Sequence, residues 1–213
     1  MASASAHFIV GAALALPAIK SRRLTALLPG WALPVSSGLL AMIPDLDLAG
    51  RRLFGIRAPS FFSHRGLSHS PFLLILFAAV FALIIAHRSS RQTFAYLWLL
   101  WAGCMVTHPL LDALTDGGRG VMLLIPFART RLYFPWRPIH TPEGHVRFLT
   151  RAFLIRSSEI PFCAAAGVAG VSGLLLRKRA RSEESLESEK WRLEQIPGKH
   201  RQGEAGGETH QQR

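Results

Sequence analysis

The sequence predicts an all-α fold: a multi-pass membrane bundle of four to five helices, followed by a disordered polar tail. Two observations carry that expectation. Of the 213 residues, 49% are hydrophobic and only 18% charged, with a mean hydropathy of +0.24. A water-soluble domain carries about 25% charged residues, so this chain lacks the polar surface to cover itself. The apolar residues also fall into long uncharged runs separated by basic loops. The only two cysteines, Cys104 and Cys163, lie inside such runs, which excludes a disulfide scaffold.

The runs are read in order. Phe8 to Ile19 is too short to span and lacks the preceding basic residues of a signal peptide, since Lys20, Arg22 and Arg23 follow it. It is expected as a short helix packed against the others. Leu24 to Pro44 is about long enough to span, with Pro29 and Pro34 kinking it or delaying its start. Pro71 to Ala86 opens on a proline suited to a first helical position. Thr93 to Leu114 is the fourth run. Ile160 to Leu176 is the fifth, rich in Ala and Gly as helix contacts in lipid often are. Three or four of these reach the roughly 17–25 residues of a spanning helix. Past the basic cluster Arg177 to Arg181 the composition turns to Glu, Ser, Gln and Gly. Residues 1–181 are therefore expected as the membrane-embedded domain and 182–213 as a disordered tail.

The net charge of +12 does not describe a nucleic-acid groove, and no nucleic-acid partner is expected. The basic residues occupy the gaps between apolar runs, as in loops that meet anionic lipid headgroups. Membrane lipids are the expected partners.

Residues 1–182 contain six acids, and five of them sit at the ends of apolar runs: Asp45, Asp47, Asp112, Asp116 and Glu159. The sixth is Glu143. Carboxylates near lipid are expensive, so acids gathered at helix ends are functional candidates. Histidines repeat the pattern: His7 before the first run, His64 and His69 before the third, and His108 four residues before Asp112. Positions i and i+4 share a helix face, so His108 and Asp112 can reach one ion together. If five helices alternate in direction, every one of these ends falls on the same side of the bundle. Lys20 to Arg23, His87 to Arg91 and Arg177 to Arg181 fall on the other. Imidazole and carboxylate donors suit Zn²⁺ ahead of Mn²⁺ or Fe²⁺. The positive-inside rule, applied to the cations just after the first run, puts the site at the periplasmic face.

Competing chemistries lack their signatures. Ser63, Ser68 and Ser70 lie beside histidines, but no Gly-x-Ser-x-Gly elbow is present. The cysteines lie where a thiolate is disfavoured. No His-Glu-x-x-His occurs.

With these residues in place, residues 1–176 resemble the YdjM-like family of bacterial inner-membrane proteins, described as metal-dependent hydrolases. The resemblance rests on His7, Pro44-Asp45-Leu46-Asp47, His64-Arg65-Gly66-Leu67-Ser68-His69-Ser70, His108-Pro109-Leu110-Leu111-Asp112-Ala113-Leu114-Thr115, and Leu124-Ile125-Pro126-Phe127. A more distant likeness, in the order His, Asp, His, His-x-x-x-Asp, is to zinc phospholipase C and P1-type nucleases. Those enzymes use an N-terminal tryptophan ligand, where this chain reads Met1-Ala2-Ser3.

The expected site has His7, Asp45, His64, His69, His108 and Asp112 as ligands of one or two divalent ions, with Asp112 the natural bridge. Asp47, Arg65 and Glu159 are the expected catalytic residues. Arg65 would hold a phosphate through its planar fork, and Glu159 would orient a neighbour or favour the start of the fifth helix. The expected function is hydrolysis of an ester or phosphoester in a small or lipid-like envelope substrate. The alternative is a non-catalytic metal-binding membrane protein or a transporter.

Overall fold

The structure is a computed structural model that describes residues 2–55, 63–140 and 158–195. The described residues form helices and loops with two isolated β-bridges and no strand. They divide into two units, residues 1–175 and 176–213.

Helix α1 (Ala4–Ala15) starts where the Ser3 side chain accepts from the Ala6 amide, satisfying one of the first turn's free donors. It tightens into a 3₁₀ turn, Leu16–Lys20. A short α2 (Arg22–Thr25) follows, then α3 (Ala32–Met42), a 3₁₀ turn Ile43–Leu46, and α4 (Asp47–Phe54). Another 3₁₀ turn, Leu67–His69, leads into α5 (Pro71–Ala86), which has proline at its first position. Ser90 caps α6 (Arg91–Ala113) through the Thr93 amide. The last helix, α7, runs Ile160–Glu194.

Two helix pairs build the first unit: α5 packs on α6, and α1 packs on α3. The first seam is a stripe of Leu74, Ala78, Ala82 and Ala86, one residue per turn and all buried. Small side chains let the two backbones approach, as helices must in lipid, where hydrophobicity gives no drive to associate. The opposite side of α5 exposes Leu76, Val80, Leu83 and Ile84. Such a surface suits acyl chains and not water. The second seam uses glycine. A Cβ on Gly11 would meet the Ala41 Cβ at 2.7 Å and the Ser37 carbonyl oxygen at 2.8 Å.

Two expectations change. The Leu24 to Pro44 run does not form one spanning helix: Pro29 and Gly30 fall in the turn before α3, which has only 11 residues. Among the described residues, only α6 and α7 are long and apolar enough to cross a membrane, and α1, α3 and α5 belong to shorter apolar helices. At a rise of 1.5 Å per residue, the 16 residues of α5 cover about 24 Å, short of a hydrocarbon core of about 30 Å. The second correction concerns the tail. In the second unit α7 continues as helix to Glu194, because Arg, Lys, Glu and Leu are good helix formers and Arg179 pairs with Glu183 one turn on, at 3.0 Å. Residues 196–213 lie outside the described residues. So do Glu143 and the rest of 141–157.

The helix ends nearest the polar cluster are closed by the segment 115–140. Its bridges Thr115–Ile139 and Val121–Leu132 hold it in shape, and the Met122 amide donates to the Arg65 carbonyl at 3.0 Å.

The glycine seam gives a paired prediction. Gly11→Ala forces a methyl against α3 backbone and should destabilise by about 1–3 kcal/mol. Gly103→Ala adds its methyl to open space on α6 and should leave stability equal or higher. Thermal unfolding in detergent compares the two.

Candidate metal centre

Each polar side chain of the cluster is fixed by a different element. His7 comes from the first turns of α1, Asp45 from the 3₁₀ turn after α3, and Asp47 from the first residue of α4. His64 and Arg65 precede the next 3₁₀ turn, which carries His69. His108 and Asp112 lie one turn apart near the end of α6. His7, His69, His108 and Asp112 are buried.

Hydrogen bonding fixes the histidine tautomers. The Nδ1 of His108 lies 2.7 Å from the Ala41 carbonyl oxygen, which only accepts, so Nδ1 carries the hydrogen. His64 Nδ1 lies 2.7 Å from Asp47 Oδ1 and donates to it. The Ser68 hydroxyl gives its one hydrogen to Asp47 Oδ2 at 2.6 Å, so its oxygen accepts from His69 Nδ1 at 3.0 Å. All three rings therefore turn an Nε2 lone pair into the cluster. The Nε2 atoms of His69 and His108 are 3.1 Å apart. Two lone pairs at that distance repel unless a cation or a proton lies between them.

Carboxylate oxygens close around the same point. Asp45 Oδ1 is 3.4 Å from His108 Nε2 and 3.9 Å from His69 Nε2. Asp112 Oδ2 is 3.5 Å from His69 Nε2, and Asp112 Oδ1 is 3.7 Å from His7 Nε2. The rings of His7 and His108 stack at 3.6 Å. Both His7 nitrogens, His64 Nε2 and Asp45 Oδ1 are buried without a hydrogen-bond partner among the described residues. Buried polar atoms are nearly always satisfied, so this concentration marks a place built for something else. Three groups of possible ligands have donor atoms within 4.8 Å of one another: His7, Asp45 and His108; Asp45, His64 and His69; His69, His108 and Asp112. The residues fit a divalent cation.

The charge balance agrees. With every imidazole neutral, as a ligand must be, Asp45, Asp47 and Asp112 against Arg65 leave a net of −2. A charge buried without a partner costs several kcal/mol or about that order per ion, so the cluster calls for a cation. Asp47 titrates well below the usual carboxylate range: burial opposes this, and hydrogen bonds from His64 and His69 outweigh it. Burial would likewise lower His69, but its bonds to Asp112 and Asp47 raise it to about 9. The carboxylates that favour a proton on His69 equally favour a metal ion in the proton's place.

Three expected catalytic residues take positioning places. Asp47 spends both oxygens on His64, Ser68, His69 and the Arg65 amide. The Arg65 fork is committed as well. Its Nε lies 3.0 Å from Asp112 Oδ2, Nη1 donates to the Gly117 carbonyl at 2.8 Å, and Nη2 donates to Thr115 Oγ1 at 3.0 Å. It is buried and is not open to hold a phosphate. Its φ of 62° places it in the left-handed region, at a cost of roughly 1–2 kcal/mol for a side-chain-bearing residue. Glu159 lies with α1's start, where its oxygens take the Ser3 amide at 2.6 Å and the Ser3 hydroxyl at 2.5 Å. It anchors the element that carries His7. Asp116, the remaining acid, pairs at the surface with His140 at 2.6 Å.

Sequence reading missed the Ala41 carbonyl, Ser68 and Thr115 as parts of this site. Ser68 stands inside the His64–His69 motif, so its place was readable. Nothing in the sequence marks a helix carbonyl as an imidazole partner.

A profile of the YdjM inner membrane protein family matches residues 1–181. The inner membrane protein YbcI of Escherichia coli (strain K12) is 35% identical over 120 residues, which cover 50% of this chain and 66% of that protein. No solved structure matches.

Because Asp47 orients His64 and His69, Asp47→Ala should weaken metal binding by about 10–100-fold although Asp47 offers no free donor atom. Glu159→Gln should leave metal affinity unchanged. Competition with a chromogenic chelator measures both.

Proposed function

The chain belongs to the YdjM inner membrane protein family, and from that premise we propose that it is a membrane-bound metal-dependent hydrolase. Its substrate on this reading is an ester or phosphoester of a lipid-like or small envelope molecule. The observation that supports it is the convergence of donor atoms: Nε2 of His64, His69 and His108 with oxygens of Asp45 and Asp112. Such a nitrogen and oxygen set suits Zn²⁺ best. The charge balance favours one divalent ion, which brings the buried cluster to neutrality.

When bound, such an ion supplies Lewis acidity and lowers the pKa of water to about 7. The protein's own residues do the rest. Asp47, Ser68 and the Ala41 carbonyl hold the imidazoles in the ligating tautomer. Arg65 holds Asp112. Structural zinc sites are closed and four-coordinate, whereas catalytic sites keep one position open. Here more than four donors converge, so one ion can be held with a coordination position to spare. Leu46, between Asp45 and Asp47, is exposed and offers an amphiphile an apolar contact next to them. A transporter would carry its ionisable groups within broken helices at the midplane. In this fold they gather where helices end.

Metal analysis by mass spectrometry of the purified protein should find about one zinc per chain, and His108→Ala or Asp112→Ala should lose it. Wild-type metal content in both variants would remove this reading. Chelation should lower the thermal midpoint of the wild type, since an ion bound only by the folded state stabilises it.

The periplasmic orientation has its own test. A cysteine at the exposed Trp136, with Cys104 and Cys163 replaced, should react with an impermeant thiol reagent in intact spheroplasts. Gly118 suits this purpose poorly, because its φ is +89° and a Cβ there would strike Arg65.

A further inference from the structure

The loop Gly117-Gly118-Arg119-Gly120 is gripped from inside by two guanidinium groups. Arg65 Nη1 donates to the Gly117 carbonyl at 2.8 Å, and a Cβ on Gly118 would lie 2.5 Å from that same Nη1. Arg131 Nη1 donates to the Gly120 carbonyl at 3.1 Å, and its Nη2 donates to Ser63 Oγ at 2.8 Å. Tyr133 adds a bond from its hydroxyl to the Gly118 carbonyl at 3.0 Å. Gly118 and Gly120 have φ of 89° and 77°, a left-handed geometry open to glycine and costly for other residues. The loop is therefore rigid on both sides of Arg119.

Arg119 itself is exposed, and among the described residues none accepts a hydrogen bond from it or forms an ion pair with it. Arg65 and Arg131 both hold the carbonyls of this loop, so three guanidinium groups gather around it. Of these three, Arg65 is balanced by Asp112 at 3.0 Å, while the charge of Arg119 faces solvent. Arg65 also connects this loop directly to the cluster, since its Nε faces Asp112 while its Nη1 holds Gly117.

We propose that Arg119 forms an anion subsite beside the metal centre, receiving the phosphoryl group of the substrate through its free planar fork. The role expected for Arg65 from sequence passes to Arg119, because only Arg119 keeps its donors free. The proposal rests on the hydrolase reading for the word substrate, but the subsite itself depends only on the loop. The shared chemistry is a phosphate monoester or diester, whether free in solution or at a lipid headgroup.

The test uses the full chain in detergent, loaded with zinc, and titrated with inorganic phosphate and with dihexanoyl phosphatidic acid. Arg119→Ala should weaken binding of at least one of them about tenfold, the scale of a lost charge-assisted hydrogen bond. Arg119→Lys should fall between, retaining the charge without the fork. Dependence on Arg119 for inorganic phosphate identifies a free phosphate ligand; dependence for the lipid alone identifies a headgroup. Thermal midpoint and zinc content should match the wild type in both variants, since Arg119 supports neither. Equal affinities in wild type and Arg119→Ala, or no binding by the wild type, overturns the subsite. If zinc is absent from the wild type while phosphate binding still depends on Arg119, the subsite stands and the metal reading falls.

Discussion

Two imidazole nitrogens, 3.1 Å apart with their lone pairs facing, set the condition that the rest of the fold answers. Neither ring is free to turn away. His108 is tied to the Ala41 carbonyl and His69 to the Ser68 hydroxyl and Asp47, each through its other nitrogen. Only a proton or a metal cation between them relieves that opposition, and the carboxylates of Asp45 and Asp112 beside them favour either positive charge.

The supporting shell explains features that look irregular by themselves. From its left-handed backbone Arg65 reaches Asp112, Thr115 and Gly117 together with its fork, while its carbonyl receives the Met122 amide. Gly118 has no side chain because the Arg65 guanidinium fills the space where one would be. Glu159 and Ser3 hold the start of α1, and the Ala2 amide donates to Asp112 Oδ1 at 2.9 Å, so the segment that positions His7 is bound from two sides. Strain at one residue is offset by a network that no single residue could supply.

Lipid explains the division of the first unit into an apolar body and a polar end. In the body, alanine and glycine seams bring α5 to α6 and α1 to α3, and large apolar side chains of α5 face outward. Carboxylates cannot be placed in such a body without severe desolvation. They gather where helices begin and end, close to water, with free backbone donors and short loops to satisfy them. The inner membrane placement of the family and the position of the cluster are thus consequences of the same dielectric constraint.

The sequence by itself determined the helical class, the membrane setting and the set of residues at the polar end. Those properties follow from local composition: apolar runs exclude charge, and charge that persists at their ends stands out. The spacing of His108 and Asp112 needed nothing more than the period of a helix. What only the tertiary structure decided is the division of labour within the set. Asp45 and Asp47 are two residues apart and alike in sequence, yet one points an unpaired oxygen at two histidines while the other turns both oxygens to orienting bonds. Arg65 and Arg119 are alike in chemistry, and burial against Asp112 separates them. Helix length was misjudged between Leu24 and Pro44, where a proline and a glycine turned one apolar run into a turn and a short helix. Residues 182–194 are helical in spite of their polarity, which a solvated helix tolerates as well as a disordered segment does. Donor direction and free valence depend on which distant carbonyls and hydroxyls arrive beside a side chain, and chain neighbours carry no record of that.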